Sequence, residues 1–538
     1  MTNALVGQPA AHKEGGSPFA PLRIPLFRAL WIAVVVADIG GWMQTVGAQW
    51  LLVGQPNATV LVALVSTAAA VPFLILGIPA GVLGEFLNRR RILIAVQGFQ
   101  VVVGSALAVL TVIGEMSPAL LLTLTFLLGA GDVLQLPAYQ ALVQEIVPRT
   151  QLTRSTSLSA IGINISRAVG PALAGLAIST VGIGFVFALN VATSMFFLIT
   201  VLRWRGYAPP TPHVEPFIDA ARAGLRYVLY SGVVRNLFLR LSLFIIPANA
   251  LWALLPFIAS SRLHLGSDGY GFLLAALGLG SVSGALLLPL TRTRFSLNST
   301  TAAGAALFGA GTIAATLSAS LPLTLVVLFV TGVAWIDVVA SFSAAVQIFL
   351  PTWVRSRGLS VYQIIFFGGA ALGSALAGVV AEALGITLVN VVAGILLLVL
   401  ASIQFLRPLP RFENIDQSTA IIPTIDQVIV DSELDFTDDA TTLVISRWDV
   451  APEQHALFID HMRAVEASRR RTGARHWELY VDKDHRDSFV EIFDIGSWRE
   501  HLEQDRSRLT EYDHQLLSAA AELASGPPEL TQLISTDR

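Results

Sequence analysis

Four ionisable residues stand inside long apolar stretches of this 538-residue chain, where a charged side chain is costly. Three are acids, Asp38, Asp132 and Asp337, and the fourth is Arg167. Because burial disfavours a charged carboxylate and a nearby cation favours it, the protonation of such an acid can change with its surroundings. We therefore predict proton-coupling chemistry, with Asp38 as the first candidate, then Asp132 and Asp337, and Arg167 as their countercharge. The alternative is a permanent, purely structural ion pair.

The elements that must position these residues are apolar stretches long enough to cross about 30 Å of hydrocarbon. Twelve such spans are predicted, at 28–53, 58–83, 91–114, 118–142, 155–180, 183–203, 236–260, 267–290, 299–318, 321–346, 358–384 and 386–406. Gly and Pro inside them do not argue against helix, since spanning helices tolerate both. The chain is thus predicted to be an all-α membrane protein over most of its length.

An internal repeat divides the predicted spans into two sets of six. With a shift of 203 positions, Gly170-Pro-Ala-Leu-Ala-Gly175 falls on Gly373-Ser-Ala-Leu-Ala-Gly378, and Gly182-Ile183 falls on Gly385-Ile386. A constant offset over such a distance indicates two copies of one folded unit. Repeated apolar units of this kind are typical of membrane transporters.

Charge separates the apolar body from a polar C-terminal region. Residues after Pro408 contain 13 basic and 26 acidic side chains, whereas the preceding ones contain 21 and 11. The predicted organisation is an N-terminal tail at 1–25, a first six-helix repeat at 26–203, an inter-repeat linker at 204–235, a second repeat at 236–407, an acidic linker at 408–440 and an α+β domain at 441–538. Within the inter-repeat linker, apolar residues at helical spacing predict a surface helix that ties the halves together.

The arginines predict the orientation of the chain. Basic residues recur in every second connection, whereas the opposite loops contain only Arg262. By the positive-inside rule, both termini and the C-terminal domain are cytoplasmic. The first 25 residues lack the apolar core of a signal peptide, so the first span is expected to direct insertion. Lysine occurs only at Lys13 and Lys483, a bias typical of a GC-rich bacterial genome, so the expected location is a bacterial inner (cytoplasmic) membrane.

Several kinds of chemistry are excluded by what the sequence lacks. It has no cysteine, so disulfides and thiolate metal sites are impossible. It has no Walker loop, metal-ligand spacing or nucleophile elbow, so ATP does not drive it directly and no metal or cofactor is expected. The expected partners are a small-molecule substrate, protons and the lipid bilayer, with no nucleic acid.

The connection between the second and third spans carries a family motif. Pro79-Ala-Gly-Val-Leu-Gly-Glu-Phe-Leu-Asn-Arg-Arg-Arg91 resembles the loop motif of the major facilitator superfamily, with Glu85 where Asp is usual. Small residues allow close helix approach, and the acid can pair with arginines and a facing helix terminus. The resemblance implies a conformational latch between the halves, formed by Gly81, Gly84, Glu85, Arg89 and Arg90. Leu288 removes the acid from the second copy, which predicts an asymmetric latch.

The fifth span carries a second motif, Arg167-Ala-Val-Gly170-Pro171-Ala-Leu-Ala-Gly175, which resembles the Gly-Pro motif of exporters in this superfamily. The proline is expected to kink the helix while small residues seal a tight seam. More narrowly, Phe27-Arg-Ala-Leu-Trp31 and Pro137-Ala-Tyr-Gln140 resemble a drug-exporter branch that includes enterobactin-exporter-like proteins. The resemblance implies two halves that rock about a central cavity lined by spans 1, 4, 7 and 10, which carry the three acids.

A set of aromatic and amide side chains is expected to line that cavity for a large apolar substrate. The set is Trp42, Gln44, Asn164, Phe366 and Phe367, with Trp50, Trp252 and Phe257 as further aromatic candidates. Anchoring at the membrane interface and helix packing are the alternative roles for its aromatic members.

The C-terminal region changes period from helical to alternating. Strands are predicted at 442–450, 476–481 and 488–493, with helices at 452–471, 498–508 and 512–524. This β-α-β-β-α order resembles the ferredoxin-like, dimeric α+β-barrel class that includes antibiotic-biosynthesis monooxygenases. A ligand pocket formed by His476, Trp477, Trp498 and His501 is one interpretation, and a dimerisation or regulatory domain is the other.

Three functional hypotheses follow. The leading one is a secondary active transporter that couples protons to the efflux of small amphipathic molecules (drugs, siderophores or secondary metabolites) by alternating access. An importer with the same fold is the second. The third is a transporter fused to a cytoplasmic enzyme domain, although the chain as a whole is not expected to be an enzyme.

Overall fold

A computed structural model describes residues 17, 19–86, 88–204, 217–351, 353–408, 440–504 and 508–535. Within these ranges twelve helices are long and apolar enough to cross a membrane, which confirms the predicted spans. Many of their outward side chains are large, apolar and exposed, among them Val102, Leu286 and Phe405. Such a surface is suited to lipid contact rather than to water.

Six spanning helices form the first half of the bundle. They are α1 Pro25–Leu52, α2 Ala58–Phe86, α3 Arg89–Val112, α4 Pro118–Ile146, α5 Leu152–Thr180 and α6 Ile183–Arg203. After a shorter connecting helix, α7 Phe217–Tyr230, the second half follows. Its helices are α8 Gly232–Phe257, α9 Ser267–Arg294, α10 Leu297–Leu317, α11 Leu321–Phe349, α12 Arg355–Leu384 and α13 Ile386–Leu406.

The two halves repeat one another in their backbone as well as in their sequence. Helices α4, α5 and α6 begin at residues 118, 152 and 183, and α11, α12 and α13 begin 203 positions later, at 321, 355 and 386. Gly182 and Gly385 precede the last helix of each half with φ of 111° and 87°. Glycine adopts these positive φ values without the steric cost that other residues meet, so both copies keep it.

The halves meet along two seams, α2 against α12 and α5 against α9. The α5–α9 seam is closed by small residues: a Cβ on Gly175 would lie 3.0 Å from the Cα of Gly271. A Cβ on Gly278 would lie 2.5 Å from the Cα of Ala168. Such close backbone approach is how helices pack in lipid, where burial of apolar surface gives little drive.

The end of the bundle opposite α7 is closed by contacts between the halves. Tyr270 of α9 donates a hydrogen bond to Gln49 of α1 and stacks on Trp50 with ring centroids 5.9 Å apart. Thr59 at the start of α2 donates to Glu382 near the end of α12. Tyr270 is fully buried, so this end of the seam is sealed.

A small α+β domain follows the membrane bundle. Its elements are β1 Thr442–Asp449, α14 His455–Thr472, β2 Ala474–Val481, β3 Ser488–Ile495, α15 Trp498–Glu503, α16 Glu511–Leu523 and β4 Glu529–Ile534. The four strands form an antiparallel sheet in the order β2-β3-β1-β4, over a core that includes Trp448, Phe458 and Phe489. The predicted domain is confirmed. Strand β4 was missed because its residues alternate weakly between apolar and polar.

The α+β domain rests on α7, the helix predicted to tie the halves together. Arg226 of α7 donates 2.9 Å to the carbonyl oxygen of Gly473 and 2.6 Å to Glu500. Arg508 also bonds Glu500 and lies 5.2 Å above the ring of Trp353, in the connection between α11 and α12. The domain therefore contacts both the inter-repeat helix and the second half.

Candidate functional site

The four ionisable residues singled out from the sequence lie at mid-depth in the bundle. Asp132 is fourteen residues from each end of α4, Asp38 is near the middle of α1, and Arg167 is near the middle of α5. Asp337 is slightly nearer the end of α11. At 1.5 Å per residue, each is roughly 20 Å from the ends of its helix. All four therefore stand where a bilayer is least polar.

Asp132 belongs to a hydrogen-bonded network of glutamines on α3 and α4. Gln100 donates 2.7 Å to the Asp132 carboxylate and accepts a 2.7 Å bond from Gln97, which also donates to Gln135. Gly131 makes room for this, because a Cβ there would lie 2.8 Å from Cγ of Gln100. Asp132 itself is exposed although it lies at mid-depth in its helix.

Asp38 and Asp132 form a pair of like charges in the first half. Asp132 lies close enough for its charge to act on Asp38, and Asp38 in turn acts on the hydroxyl of Tyr139. Asp132 and Tyr139 are seven residues apart and so share one face of α4, the face toward α1. Among the described residues no cation pairs with either acid. The two acids are therefore neighbours that share no countercharge in the described part of the chain.

Asp337 is not part of that pair. A Cβ on Gly304 of α10 would lie 3.3 Å from its carboxylate, and its other oxygen is buried with no hydrogen-bond partner among the described residues. Arg292 of α9 donates 3.0 Å to the carbonyl oxygen of Ala340, one turn from Asp337 on α11. The structure thus brings two of the three predicted acids together and leaves the third within the second half.

Arg167 lies against aromatic rings rather than against an acid. Its guanidinium carbon is 5.5 Å from the ring centroid of Trp42 and 6.0 Å from that of Trp252. Arg167 was expected to be the countercharge of the three acids. In the described part of the chain, however, no ion pair joins Arg167 to a carboxylate. The reason is the glycine at position 170, because a Cβ there would lie 2.6 Å from Cβ of Trp42. Since Gly170 has no side chain, the indole of Trp42 fits beside Arg167.

The residues predicted to line the cavity fall into different surroundings. Gln44 is buried with its amide nitrogen unpartnered among the described residues, while Asn164 donates 2.8 Å to the Ala160 carbonyl of its own helix. Phe367 stacks on Phe73 of α2 across the α2–α12 seam, with centroids 3.7 Å apart. Phe366 joins the aromatic cluster of the second half.

That cluster connects the halves through a series of ring contacts. Trp42 and Trp252 have centroids 6.3 Å apart, Trp252 and Trp335 are 5.6 Å apart, and Trp335 and Phe366 are 6.3 Å apart. Trp335 was not predicted from the sequence as a site residue, although the 203-residue offset places it at the position equivalent to Asp132. One half thus carries a carboxylate where the other carries an indole. Gln97 and Gln100 were not predicted as site residues, because the prediction rested on ionisable side chains and these two are neutral.

The arginines of the predicted latch hold the end of the first half nearest α7. Arg89 forms an ion pair with Glu145 at the end of α4. Arg90 donates to the carbonyl oxygens of Val201 and Leu202, at 3.2 and 3.1 Å, in the last turn of α6. A cation is favourable there because the carbonyl end of a helix is partially negative. Gly81, Gly84 and Glu85 lie in the last turns of α2, and their side chains are outside the described part of the structure.

The Gly-Pro motif serves two interfaces at once. Gly170 faces α1 and Trp42, whereas Gly175 faces α9, where a Cβ would lie 2.5 Å from the Ser267 carbonyl oxygen. Pro171 lies inside α5, and its carbonyl oxygen would be 2.7 Å from a Cβ on Gly271. The motif thus packs α5 tightly between the two halves.

The residues suggested as a pocket in the α+β domain do not form one. His476 and Trp477 are neighbours on β2, so they lie on opposite faces of the sheet. His476 is exposed and contacts Asp494 at 3.0 Å, while Trp477 donates 2.9 Å to the buried Glu491. Trp498 and His501 pack together elsewhere, with centroids 5.4 Å apart. A pocket formed by all four side chains is therefore wrong.

Twelve spanning helices in two related halves, with ionisable and aromatic residues meeting at mid-depth, define a transporter of the major facilitator superfamily. More narrowly, a family model described as "Transmembrane secretion effector" matches residues 16–538. The chain belongs to this family, which confirms the resemblance drawn from its motifs.

The comparisons with individual proteins agree with this assignment. "Multidrug efflux pump Tap" of Mycolicibacterium fortuitum is 25% identical over 410 residues, 74% of this chain and 97% of that protein. "Enterobactin exporter EntS" of Shigella boydii is 25% identical over 266 residues, 49% of this chain and 62% of that protein. The solved nucleoside transporter NupG matches with a TM-score of 0.60 at 11% identity, covering 71% of this chain and 99% of that one, and supports the fold alone.

Bacterial relatives and twelve apolar helices make this a multi-pass protein of the bacterial cell membrane. The matched family and the named relatives are transporters rather than enzymes.

Proposed function

We propose that this protein exports small amphipathic molecules (drugs, siderophores or secondary metabolites) from the cytoplasm, driven by protons and by alternating access. The observation that carries the proposal is the pair of Asp38 and Asp132, two neighbouring acids at mid-depth in their helices. An ionisable group at this depth is costly to keep and marks a functional site by default.

The acid pair supplies the proton step. Two carboxylates that repel one another in a weakly polar surrounding gain stability when one of them takes up a proton. Gln100 holds Asp132 in place by its 2.7 Å bond, whereas Asp38 has no hydrogen-bond partner among the described residues and so no bond that a proton must displace. We assign the travelling proton to Asp38 first, with Asp132 as its electrostatic partner.

The amphipathic character of the substrate follows from the asymmetry of the two halves. Asp132 and Trp335 occupy equivalent positions, so the first half presents polar groups and the second half presents aromatic faces. A molecule with one polar and one apolar side can therefore make favourable contacts with both halves.

Outward direction is supported by the printed names of the relatives, which are efflux pumps and exporters. In our proposal both termini face the cytoplasm, so the sealed end at Gln49 and Tyr270 faces outside. The arrangement then corresponds to a cytoplasm-open state. The segment from Gly81 to Arg90 would act as the latch that closes the cytoplasmic end when the outer seam separates.

The test is transport into inverted membrane vesicles under an imposed pH gradient, acid inside, with a panel of fluorescent dyes and catecholate siderophores. The wild type should accumulate at least one of them. Asp38→Asn should abolish gradient-driven accumulation and Asp132→Asn should reduce it strongly, with expression unchanged. Asp337→Asn is the matched comparison, since this acid lies away from the pair, and it should retain most of the activity.

Wild-type rates in both Asp38→Asn and Asp132→Asn would remove the proton role of the pair. Accumulation only in right-side-out vesicles, driven by acid outside, would instead establish an importer.

We also propose that the α+β domain can pair with a second copy through the open face of its sheet. Tyr480 of β2 and Leu533 of β4 are each 48% exposed on that face, on either side of Ile492 and Ile445. A cysteine at Tyr480 should then form a cross-linked dimer in membranes. A cysteine at Leu457 of α14, exposed on the helical face, should not, and equal cross-linking at both positions would contradict the proposal.

A further inference from the structure

We propose that Arg167, Trp42 and Trp252 form a binding site for the anionic group of an aromatic acid, such as a carboxylate. The inference rests on the proposed transport function and adds to it the chemical class of the substrate. The site lies at mid-depth and joins α1 and α5 of the first half to α8 of the second.

The site contains hydrogen-bond donors without acceptors. Nε of Arg167 and the indole nitrogens of Trp252 and Trp335 are all buried, and none has a hydrogen-bond partner among the described residues. Buried donors are normally paired, because an unpaired buried donor has lost its hydrogen bond to water without gaining another. All three are donors, so the group that completes this site must be an acceptor.

The charge of the site points the same way. Arg167 is cationic at any physiological pH, and it lies over two rings rather than beside a carboxylate. The ring faces of tryptophan attract the guanidinium but do not neutralise it. A ligand carboxylate would supply both the missing countercharge and two acceptor oxygens in the planar geometry that a guanidinium recognises best.

The aromatic part of the ligand follows from the neighbouring rings. From Trp42 through Trp252 and Trp335 to Phe366, successive ring centroids are 5.6 to 6.3 Å apart and successive ring planes are inclined by 39° to 65°. These inclined rings form an apolar cluster next to the guanidinium, against which the edge or face of an aromatic body can pack.

The hydrogen bonding of Asp132 and of Arg167 favours an acceptor over a cation at this site. Asp132 already accepts a hydrogen bond from Gln100, whereas the buried donors around Arg167 have no acceptor among the described residues. A cationic ammonium group would bring only further donors to them.

The experiment measures equilibrium binding to the purified full-length protein in detergent, by calorimetry, with three ligands of nearly the same shape. They are 2-naphthoate, the neutral 2-naphthamide and the cationic 2-naphthylmethylammonium. The wild type should prefer 2-naphthoate to the other two by at least about tenfold in Kd, as a charge-assisted hydrogen bond implies. Arg167→Gln should weaken 2-naphthoate much more than 2-naphthamide and so remove this preference.

Two further variants separate charge from shape. Arg167→Lys keeps the charge without the planar fork and should restore part of the preference. Trp252→Phe keeps the ring face without the N–H group and should weaken 2-naphthoate by roughly two- to tenfold. Equal binding of the three ligands by the wild type, preference for the cation, or no binding of 2-naphthoate would each overturn the inference, and none of these needs a variant.

Binding in detergent needs no proton gradient, so it can be judged apart from the transport proposal. If the wild type shows no anion preference but exports its substrate normally, the proposed substrate class is wrong and the transport proposal stands. If the wild type shows an anion preference that depends on Arg167, and Asp38→Asn and Asp132→Asn transport normally, the proposed proton role of the two acids is wrong and the substrate class stands.

Discussion

Arg226 and Glu500 lie 274 residues apart in the chain, yet their side chains meet at 2.6 Å. Arg226 belongs to α7, which connects the two halves, and Glu500 belongs to the α+β domain. The same arginine also donates to the carbonyl oxygen of Gly473. In the alternating-access cycle that we propose, a domain held to the connecting helix in this way is placed to respond to the movement of the halves.

Removal of this contact should loosen the domain from α7. In Arg226→Ala, amide hydrogen exchange across Phe217–Tyr230 should speed up by roughly tenfold, since a largely buried hydrogen bond to a charged group contributes about 1.5–3 kcal/mol. Arg463→Ala is the control, because Arg463 pairs with Asp460 on an exposed face of α14. Unchanged exchange in Arg226→Ala would mean that other contacts hold the domain.

The position of Gln100 should matter as much as its presence. Gly131→Ala adds a methyl group that would lie 2.9 Å from Nε2 of Gln100, so the amide must move away from Asp132. Gradient-driven accumulation in inverted vesicles should fall about tenfold, as in Gln100→Ala, because both changes remove the same hydrogen bond. Gly98→Ala, whose new methyl meets no atom within 4 Å, should transport normally. The double variant should be no worse than either single one, and additive losses would show two separate effects.

The close approach of α1 and α5 depends on Gly170. In Gly170→Ala the new methyl would lie 2.6 Å from Cβ of Trp42 and 3.0 Å from the carbonyl oxygen of Ile39. Overpacking of this kind should lower the free energy of unfolding by about 1–3 kcal/mol in denaturant titrations of the detergent-solubilised protein. Gly41→Ala is the matched control on α1, where the added methyl has open space. A Gly170→Ala protein as stable as wild type would mean that the helices can separate freely here.

Reporter cysteines can establish the orientation, because the chain has no cysteine of its own. Gln55→Cys, in the exposed turn between α1 and α2, should react with a membrane-impermeant maleimide in intact spheroplasts. Lys483→Cys, in the exposed hairpin of the α+β domain, should react only after the membrane is broken. Labelling of the second position in intact spheroplasts would reverse the topology and with it the proposed direction of transport.

Much of the fold could be predicted from the sequence because the relevant signals are local. Span length, the 203-residue repeat and the turn glycines Gly182 and Gly385 are each properties of one segment or of its copy. The strands β1 to β3 were predicted for the same reason. Strand β4 was missed because six residues with weak alternation carry little information apart from the partner strand that orders them.

The sequence by itself determined which residues are costly in a membrane, since an acid or an arginine within an apolar helix is unfavourable whatever surrounds it. Only the tertiary structure decided their partners. Asp132 is bonded to Gln100 rather than to Arg167, and Asp337 lies within the second half, because side-chain neighbours depend on how helices from distant segments rotate and pack. Arg167 lies between Trp42 and Trp252 because a glycine on its own helix admits one ring and the opposite half supplies the other.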